Sequence, residues 1–209
     1  MRFAVLSLVL TSVFTFAAPA NAANEATAAD EVTARADLNG DGVLDTVVAQ
    51  AIEGNPDEQL LVATINGVRL DARVPLYSRI GVPPLQVVDL NDDGTDEVMV
   101  TEALGANTVT VSTWGLYGGL RPVTWPNGEV MKVWEGGGIS SLSAYGCEQA
   151  GGGRRLVQVS TSVDWNTLIY SGDRITYSLA GSVATETSRV PVSGKRDDPA
   201  LQTDPAACA

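Results

Sequence analysis

Two stretches of nine residues constrain this chain more than any other part of its sequence. They read DLNGDGVLD at residues 37–45 and DLNDDGTDE at residues 89–97, so both follow the pattern D-x-N-x-D-G-x-x-[DE]. Oxygen-bearing side chains at positions 1, 3 and 5 can converge when the glycine at position 6 folds the loop back on itself. The pattern therefore predicts two loops that each bind a hard cation.

Calcium suits these loops better than magnesium, because it takes about six to eight oxygen ligands, whereas magnesium demands a near-ideal octahedron and keeps its waters. The predicted ligands are four side chains in each loop and the backbone carbonyl at position 7. They are Asp37, Asn39, Asp41, Val43 and Asp45 in the first loop, and Asp89, Asn91, Asp93, Thr95 and Glu97 in the second.

The competing interpretation is a pair of metal-free turns, since Asp, Asn and Gly favour turns in any sequence. Two matches, each followed by a β-strand pattern, favour calcium over that interpretation. The two other acidic residues of the second loop, Asp92 and Asp96, are expected to face solvent.

Position 12 distinguishes these loops from an EF-hand, which needs a bidentate Glu there. The sequence has Val48 and Val100 at that position, each within an apolar, β-branched run. Each loop is therefore predicted to lead into a strand rather than a helix, which excludes EF-hand and dockerin structures. The loops resemble instead the calcium-binding turn of FG-GAP/VCBS-type repeats, which build integrin-like β-propellers in secreted bacterial proteins. Gly105-Ala106-Asn107 is loosely similar to the Gly-Ala-Pro of that family.

Residues 1–22 have the features of a secretory signal peptide: Arg2, an apolar run from Phe3 to Phe16, and an A-x-A cleavage site ending at Ala22. Residues 23–31 form a small, acidic leader. No later run approaches the ~18 apolar residues of a membrane span. We expect an exported, extracellular or cell-surface protein without membrane insertion. In that oxidising setting its two cysteines, Cys147 and Cys208, are predicted to pair.

Short strands separated by Gly, Asn and Pro predict an all-β fold for residues 32–192. The clearest hairpin joins two runs at residues 60–65 and 68–74 through Asn66-Gly67, because both residues of a type I′ turn need positive φ. Residues 54–57 are predicted to form a turn. Strands are also expected at 108–114, 120–123, 141–145, 156–160, 167–171, 174–179 and 183–187. Pro122 confines one of them to a sheet edge.

The two loops begin 52 residues apart, which predicts repeats near 32–84, 85–140 and 141–192. Residues 147–155 occupy the loop position of the third repeat, where a cysteine and an arginine replace its acidic ends. Repeats of this length look like propeller blades. Three of them predict an open arc, a compact β fold, or a ring completed by another copy. Residues 193–209 form a polar tail held by Cys208.

A net charge of −12 disfavours nucleic acid as a partner. The absence of histidine excludes Ser-His and Cys-His catalysis. Four tryptophans, Trp114, Trp125, Trp134 and Trp165, together with Tyr117, form either a sugar-stacking platform or part of the core. We therefore expect a secreted, non-enzymatic binding or structural module with a protein or glycan ligand. The alternative is a secreted glycoside hydrolase that uses paired carboxylates.

Overall fold

The computed structural model describes residues 30–209. The predicted signal peptide and most of the predicted leader lie outside the described residues. Glu31, the last residue of that leader, already belongs to the first strand and pairs with Gln50.

The fold is all-β, as predicted, and no α-helix occurs within residues 30–209. The strands of the first sheet are β1 (Glu31–Ala36), β2 (Asp45–Ile52), β3 (Asn55–Ile65) and β4 (Val68–Pro75). Those of the second are β5 (Gln86–Val88), β6 (Glu97–Leu104), β7 (Thr108–Leu116), β8 (Leu120–Pro122), β9 (Lys132–Gly136), β10 (Ser141–Ala150), β11 (Gly153–Asp164), β12 (Ile169–Ala180) and β13 (Val183–Gly194). Two short 3₁₀ helices, Pro199–Leu201 and Pro205–Cys208, follow.

Each sheet is an antiparallel meander. The first has the order β1-β2-β3-β4 and the second β13-β12-β11-β10-β9-β7-β6-β5, with β8 beside β7 and outside that path. The predicted hairpin at Asn66-Gly67 is confirmed, with φ angles of 49° and 79°. The turn predicted at residues 54–57 is wrong in extent, because Asn55–Asp57 already belong to β3. Neither sheet closes on itself among the described strands.

Strand β6 lies between two hydrophobic cores. Side chains alternate across a strand, so Val98 and Val100 pack into a core shared with the first sheet, while Met99 packs into a second core. The side chains of strand β7 also pack into both cores: Val111 lies in the second core and Trp114 in the first. A continuous apolar run in the sequence therefore becomes a strand that is buried on both faces.

The second sheet folds back on itself where β9 meets β10. These strands share one paired position, Gly136 with Ser143. Tyr145 on β10 donates a hydrogen bond of 3.0 Å to the Gln86 side chain on β5, although three strands separate β10 from β5 in the sheet. The halves β5–β9 and β10–β13 thus face each other across the second core, to which both contribute side chains.

Two sequence expectations fail in the half formed by β10–β13. Residues 147–155 are not a loop: Cys147 pairs with Leu156 inside a continuous hairpin whose turn is Gly151-Gly152. Residues 169–171 and 174–179 of two predicted strands belong to one strand, β12, because Gly172 and Asp173 continue the pairing with β11 instead of turning. Thr167 and Leu168, predicted to begin the first of those strands, lie in the turn before it. In both places the neighbouring strand satisfies the backbone and overrides local turn propensity.

The tail is more firmly attached than its polar sequence suggests. Leu201 is completely buried and packs with Val159 and Tyr170 in a third cluster. Because Val159 and Leu156 differ by an odd number of positions, this cluster lies on the face of β11 opposite the second core. The predicted disulfide is confirmed, with the Cα atoms of Cys147 and Cys208 4.9 Å apart. No helix within residues 30–209 has the length and apolar character needed to cross a membrane.

Candidate functional site

The two acidic loops occupy the same place in the strand order. The first joins β1 to β2 and the second joins β5 to β6. The glycines at position 6, Gly42 and Gly94, have φ angles of 81° and 83°, which other residues rarely adopt. This left-handed turn is the sharp reversal predicted from the sequence.

The carboxylate at position 1 organises each loop by accepting backbone hydrogen bonds. Asp37 accepts from the N–H groups of Asp41 (3.1 Å) and Gly42 (2.7 Å). In the second loop, Asp89 accepts from the N–H groups at the same two positions, each at 3.2 Å. The two loops therefore share one backbone conformation.

The position-3 amide and the position-5 carboxylate are also in contact. The Asn39 side chain donates to Asp41 at 2.9 Å, and the Asn91 side chain donates to Asp93 at 2.7 Å. The position-7 N–H donates to the position-5 carboxylate in both loops, at 2.8 Å from Val43 and 2.9 Å from Thr95.

The position-9 carboxylates bind the backbone near the start of each loop. Asp45 and Glu97 are buried and accept hydrogen bonds from the N–H groups of Leu38 (3.2 Å) and Leu90 (3.0 Å). Glu97 also accepts from the hydroxyl of Tyr117 at 2.8 Å. Within each loop, the predicted ligand side chains at positions 3 and 5 contact each other, while those at positions 1 and 9 bind backbone N–H groups of the same loop.

Burial and mutual repulsion disturb the titration of these carboxylates. Burial raises the pKa of Asp45, and the charges of Asp41 and Asp37 act in the same direction. Burial raises the pKa of Glu97 to about 7, with further contributions from the charges of Asp93 and Asp89. A cation would oppose this repulsion, since an opposite charge nearby favours ionised carboxylates.

One predicted ligand of the second loop, Asn91, has an oxygen that is free to bind a cation. Oδ1 of Asn91 is buried and has no hydrogen-bond partner among residues 30–209, and buried polar atoms are rarely left unpaired. In the same part of the chain, no group of three or more His, Cys, Asp or Glu side chains is arranged to hold a metal. A cation here would therefore depend on amide and carbonyl oxygens as well as carboxylates, as the pattern predicts, and Asn91 fits that requirement.

The two loops pack against each other across the two sheets. The Asp37 N–H donates to the Asp96 carboxylate at 2.7 Å, and the Asp96 N–H donates to the Asp37 carbonyl at 2.8 Å. A Cβ added to Gly40 would lie 2.9 Å from the methyl group of Thr95. The expectation that Asp96 faces solvent is wrong, because this contact half-buries it, whereas Asp92 is exposed as expected.

The far side of the second loop rests on the hairpin β10–β11 and on the tail. The Asp89 N–H donates to the carbonyl of Cys208 at 2.8 Å. Arg154 donates to the carbonyls of both Asp89 (2.5 Å) and Cys208 (2.9 Å). Sequence reasoning did not anticipate that the disulfide-bonded residue would support a predicted calcium loop.

The aromatic residues do not form one platform. Trp114 is buried and donates to the hydroxyl of Ser112, and Tyr117 is bound to Glu97. Trp165 lies exposed in the turn between β11 and β12. Trp125 and Trp134, in contrast, line one cleft beside β11 and β12.

Comparison with known proteins adds no relative: no protein-family model, no curated protein and no solved structure matches this chain. The resemblance of the two loops to FG-GAP/VCBS-type repeats therefore stays a prediction.

Proposed function

We propose that this protein is an exported, calcium-binding β-repeat module in which calcium has an architectural role. Asp37, Asn39, Asp41 and Asp45 would hold one ion with the carbonyl of Val43. Asp89, Asn91, Asp93 and Glu97 would hold another with the carbonyl of Thr95. Calcium would supply positive charge to each acidic cluster.

The contact between Asp37 and Asp96 carries this proposal. Asp37 is the first predicted ligand of one loop, and Asp96 precedes the last predicted ligand of the other. A cation in either loop would therefore hold the backbone on one side of the joint between the sheets. Binding to the folded state alone stabilises it by RT ln(1 + [L]/Kd), about 2.7 kcal/mol at a hundredfold excess over Kd.

We interpret the fold as three blade-like units of four strands. The units are β1–β4, then β5, β6, β7 and β9, and then β10–β13, and each is an antiparallel meander in chain order. The first connection of each unit is a predicted calcium loop in two cases and the tight Gly151-Gly152 hairpin in the third. The third unit would therefore bind no calcium.

The described residues give less support to the alternative, a glycoside hydrolase that uses paired carboxylates. The acidic residues nearest the aromatic cleft, Asp173 and Glu186, both bind Arg189, at 2.9 and 2.6 Å. The Arg189 guanidinium lowers the pKa of Glu186, whereas a general acid of a glycosidase needs a raised pKa. Both observations favour a binding module over an enzyme.

Calorimetry on metal-stripped protein tests the proposal. We expect about two calcium ions per chain, with Kd values of extracellular modules, roughly 10⁻⁴–10⁻³ M or tighter. Asp41→Ala and Asp93→Ala should each abolish one of the two sites. Asp164→Ala is the matched control, because Asp164 caps a turn outside the loops by the same kind of hydrogen bond, from Asn166 N–H at 2.9 Å. An absence of binding heat at millimolar calcium, or equal losses in all three variants, would refute the proposal.

A further inference from the structure

A cleft of about 290 Å³ lies between β9 and the strands β11, β12 and β13. Trp125, Trp134, Gln158 and Tyr177 are among the residues that line it. A second cleft of about 380 Å³ adjoins it and shares Trp125 and Tyr177 with it. These volumes are close to the lower end of the range for small-molecule sites, about 300–1,000 Å³.

The floor of the first cleft carries polar groups without partners. Gln158 is 4% exposed and Tyr177 is 6% exposed. Within residues 30–209, neither the Gln158 amide nor the Tyr177 hydroxyl makes a hydrogen bond, although both residues line the cleft. Their polar atoms are not enclosed, because the enclosed unpaired side-chain atoms of residues 30–209 belong to Gln59, Asn91, Thr113 and Arg154. A ligand that displaces water from the cleft must therefore replace the hydrogen bonds that water makes to them. These two groups are therefore available to a ligand that can both donate and accept hydrogen bonds.

Aromatic rings form the walls. The rings of Trp125 and Tyr177 have centroids 5.0 Å apart at an interplanar angle of 48°. They stand where the two clefts meet. Trp134 is 39% exposed at the first cleft. Exposed indole rings provide flat apolar surfaces that pack against the flat faces of a ligand.

The charged side chains that line the two clefts pair with one another and leave one negative charge in excess. Arg189 donates to Glu186 through two nitrogen atoms, at 2.9 and 2.6 Å, and to Asp173 at 2.9 Å. Among the described residues that line the two clefts, no positive charge is left for an anionic ligand, and the chain as a whole is acidic. A neutral ligand is therefore favoured over a phosphate, a nucleic acid or an acidic glycan.

We propose that the two clefts bind a neutral oligosaccharide, with sugar rings stacked on Trp134 and Trp125 and hydroxyl groups bonded to Gln158 and Tyr177. A sugar combines apolar faces with hydroxyls that donate and accept, so it matches both the walls and the floor. A purely apolar ligand would leave the Gln158 amide unpaired. This inference deepens the proposed function by naming the ligand of the binding module, and it does not require calcium.

The experiment uses four neutral probes, cellotetraose, chitotetraose, mannotetraose and xylotetraose, and one acidic probe, a galacturonic acid tetramer. Each is titrated into the exported chain by calorimetry. We expect at least one neutral probe to bind. Trp134→Ala should weaken its binding at least tenfold. Trp165→Ala is the matched control: this tryptophan is 60% exposed but lies outside both clefts, so binding should not change.

Gln158→Met separates a role in recognition from a role in folding. It removes an unpaired amide at nearly constant size, so the thermal midpoint should stay or rise while binding falls at least tenfold. The inference is overturned if no neutral probe binds, if the acidic probe binds best, or if Trp134→Ala and Gln158→Met bind like wild type. Calcium titration of the same samples tests the calcium proposal separately from the sugar proposal. The cleft variants should retain both calcium sites even where they lose sugar binding.

Discussion

The backbone of Asp37 and the backbone and side chain of Asp96 form two reciprocal hydrogen bonds, 2.7 and 2.8 Å long, between residues 59 positions apart. One residue belongs to the loop of the first sheet and the other to the loop of the second. The two predicted calcium loops are therefore parts of one joint.

Removing one of these two bonds, from the Asp37 N–H to the Asp96 carboxylate, should destabilise the protein. Asp96→Ala leaves the half-buried Asp37 N–H without its acceptor, which costs about 1–3 kcal/mol. Asp92→Asn is the matched control, because it removes one charge from the same loop at an exposed position. Urea unfolding in calcium-free buffer measures the free energy of unfolding of both variants. Equal stability of the two variants would show that the contact contributes nothing.

The metal-free protein should respond to pH through Glu97. Its pKa is about 7 in the folded state, against an ordinary value of 4.5. Between these values the folded chain holds a proton that the unfolded chain has released. This group therefore adds stability as the pH falls from 8 towards 5, and that contribution is lost as the pH rises through 7.

The comparison that isolates this effect is wild type against Glu97→Gln. The difference between their unfolding free energies should change across pH 5–8 in metal-free buffer. Bound calcium should hold Glu97 ionised and so remove most of this pH dependence. The affinity of the second loop for calcium should correspondingly fall below pH 7. A difference that is constant with pH would contradict the assignment.

The disulfide should support the second loop and not the first. Cys208 accepts the N–H of Asp89, the first predicted ligand. Replacing both cysteines by alanine should cost about 4 kcal/mol of stability for a bond spanning 61 residues. It should also weaken one of the two calcium sites. Calorimetry of the double variant carrying Asp41→Ala isolates the second site, and unchanged affinity there would exclude this coupling.

The tail should be part of the folded core. Leu201 is fully buried against Val159 and Tyr170, so Leu201→Ala should lose about 2–5 kcal/mol. Leu168→Ala is the control, since Leu168 is 61% exposed in a turn and should change stability little. Thermal and urea unfolding of both variants provide the measurement. If Leu201→Ala unfolds like the control, the tail does not stabilise the sheet.

The sequence alone determined the features that depend on neighbouring residues. The all-β class, the hairpin at Asn66-Gly67 and the conformation of both acidic loops follow from two-residue alternation and from turn chemistry. The pairing of Cys147 with Cys208 followed from their even number and the expected compartment. Each of these inferences needs only the spacing of neighbouring residues or the number of cysteines.

Only the tertiary structure decided how distant parts meet. The half-burial of Asp96, the continuity of β12 through Gly172-Asp173 and the burial of Leu201 all depend on a surface supplied by another part of the chain. The cleft around Gln158 likewise combines β9, β11 and β12 with the residues around Trp125. Local propensity cannot predict such contacts, because a backbone group or an apolar side chain can be satisfied by any partner that packing brings to it.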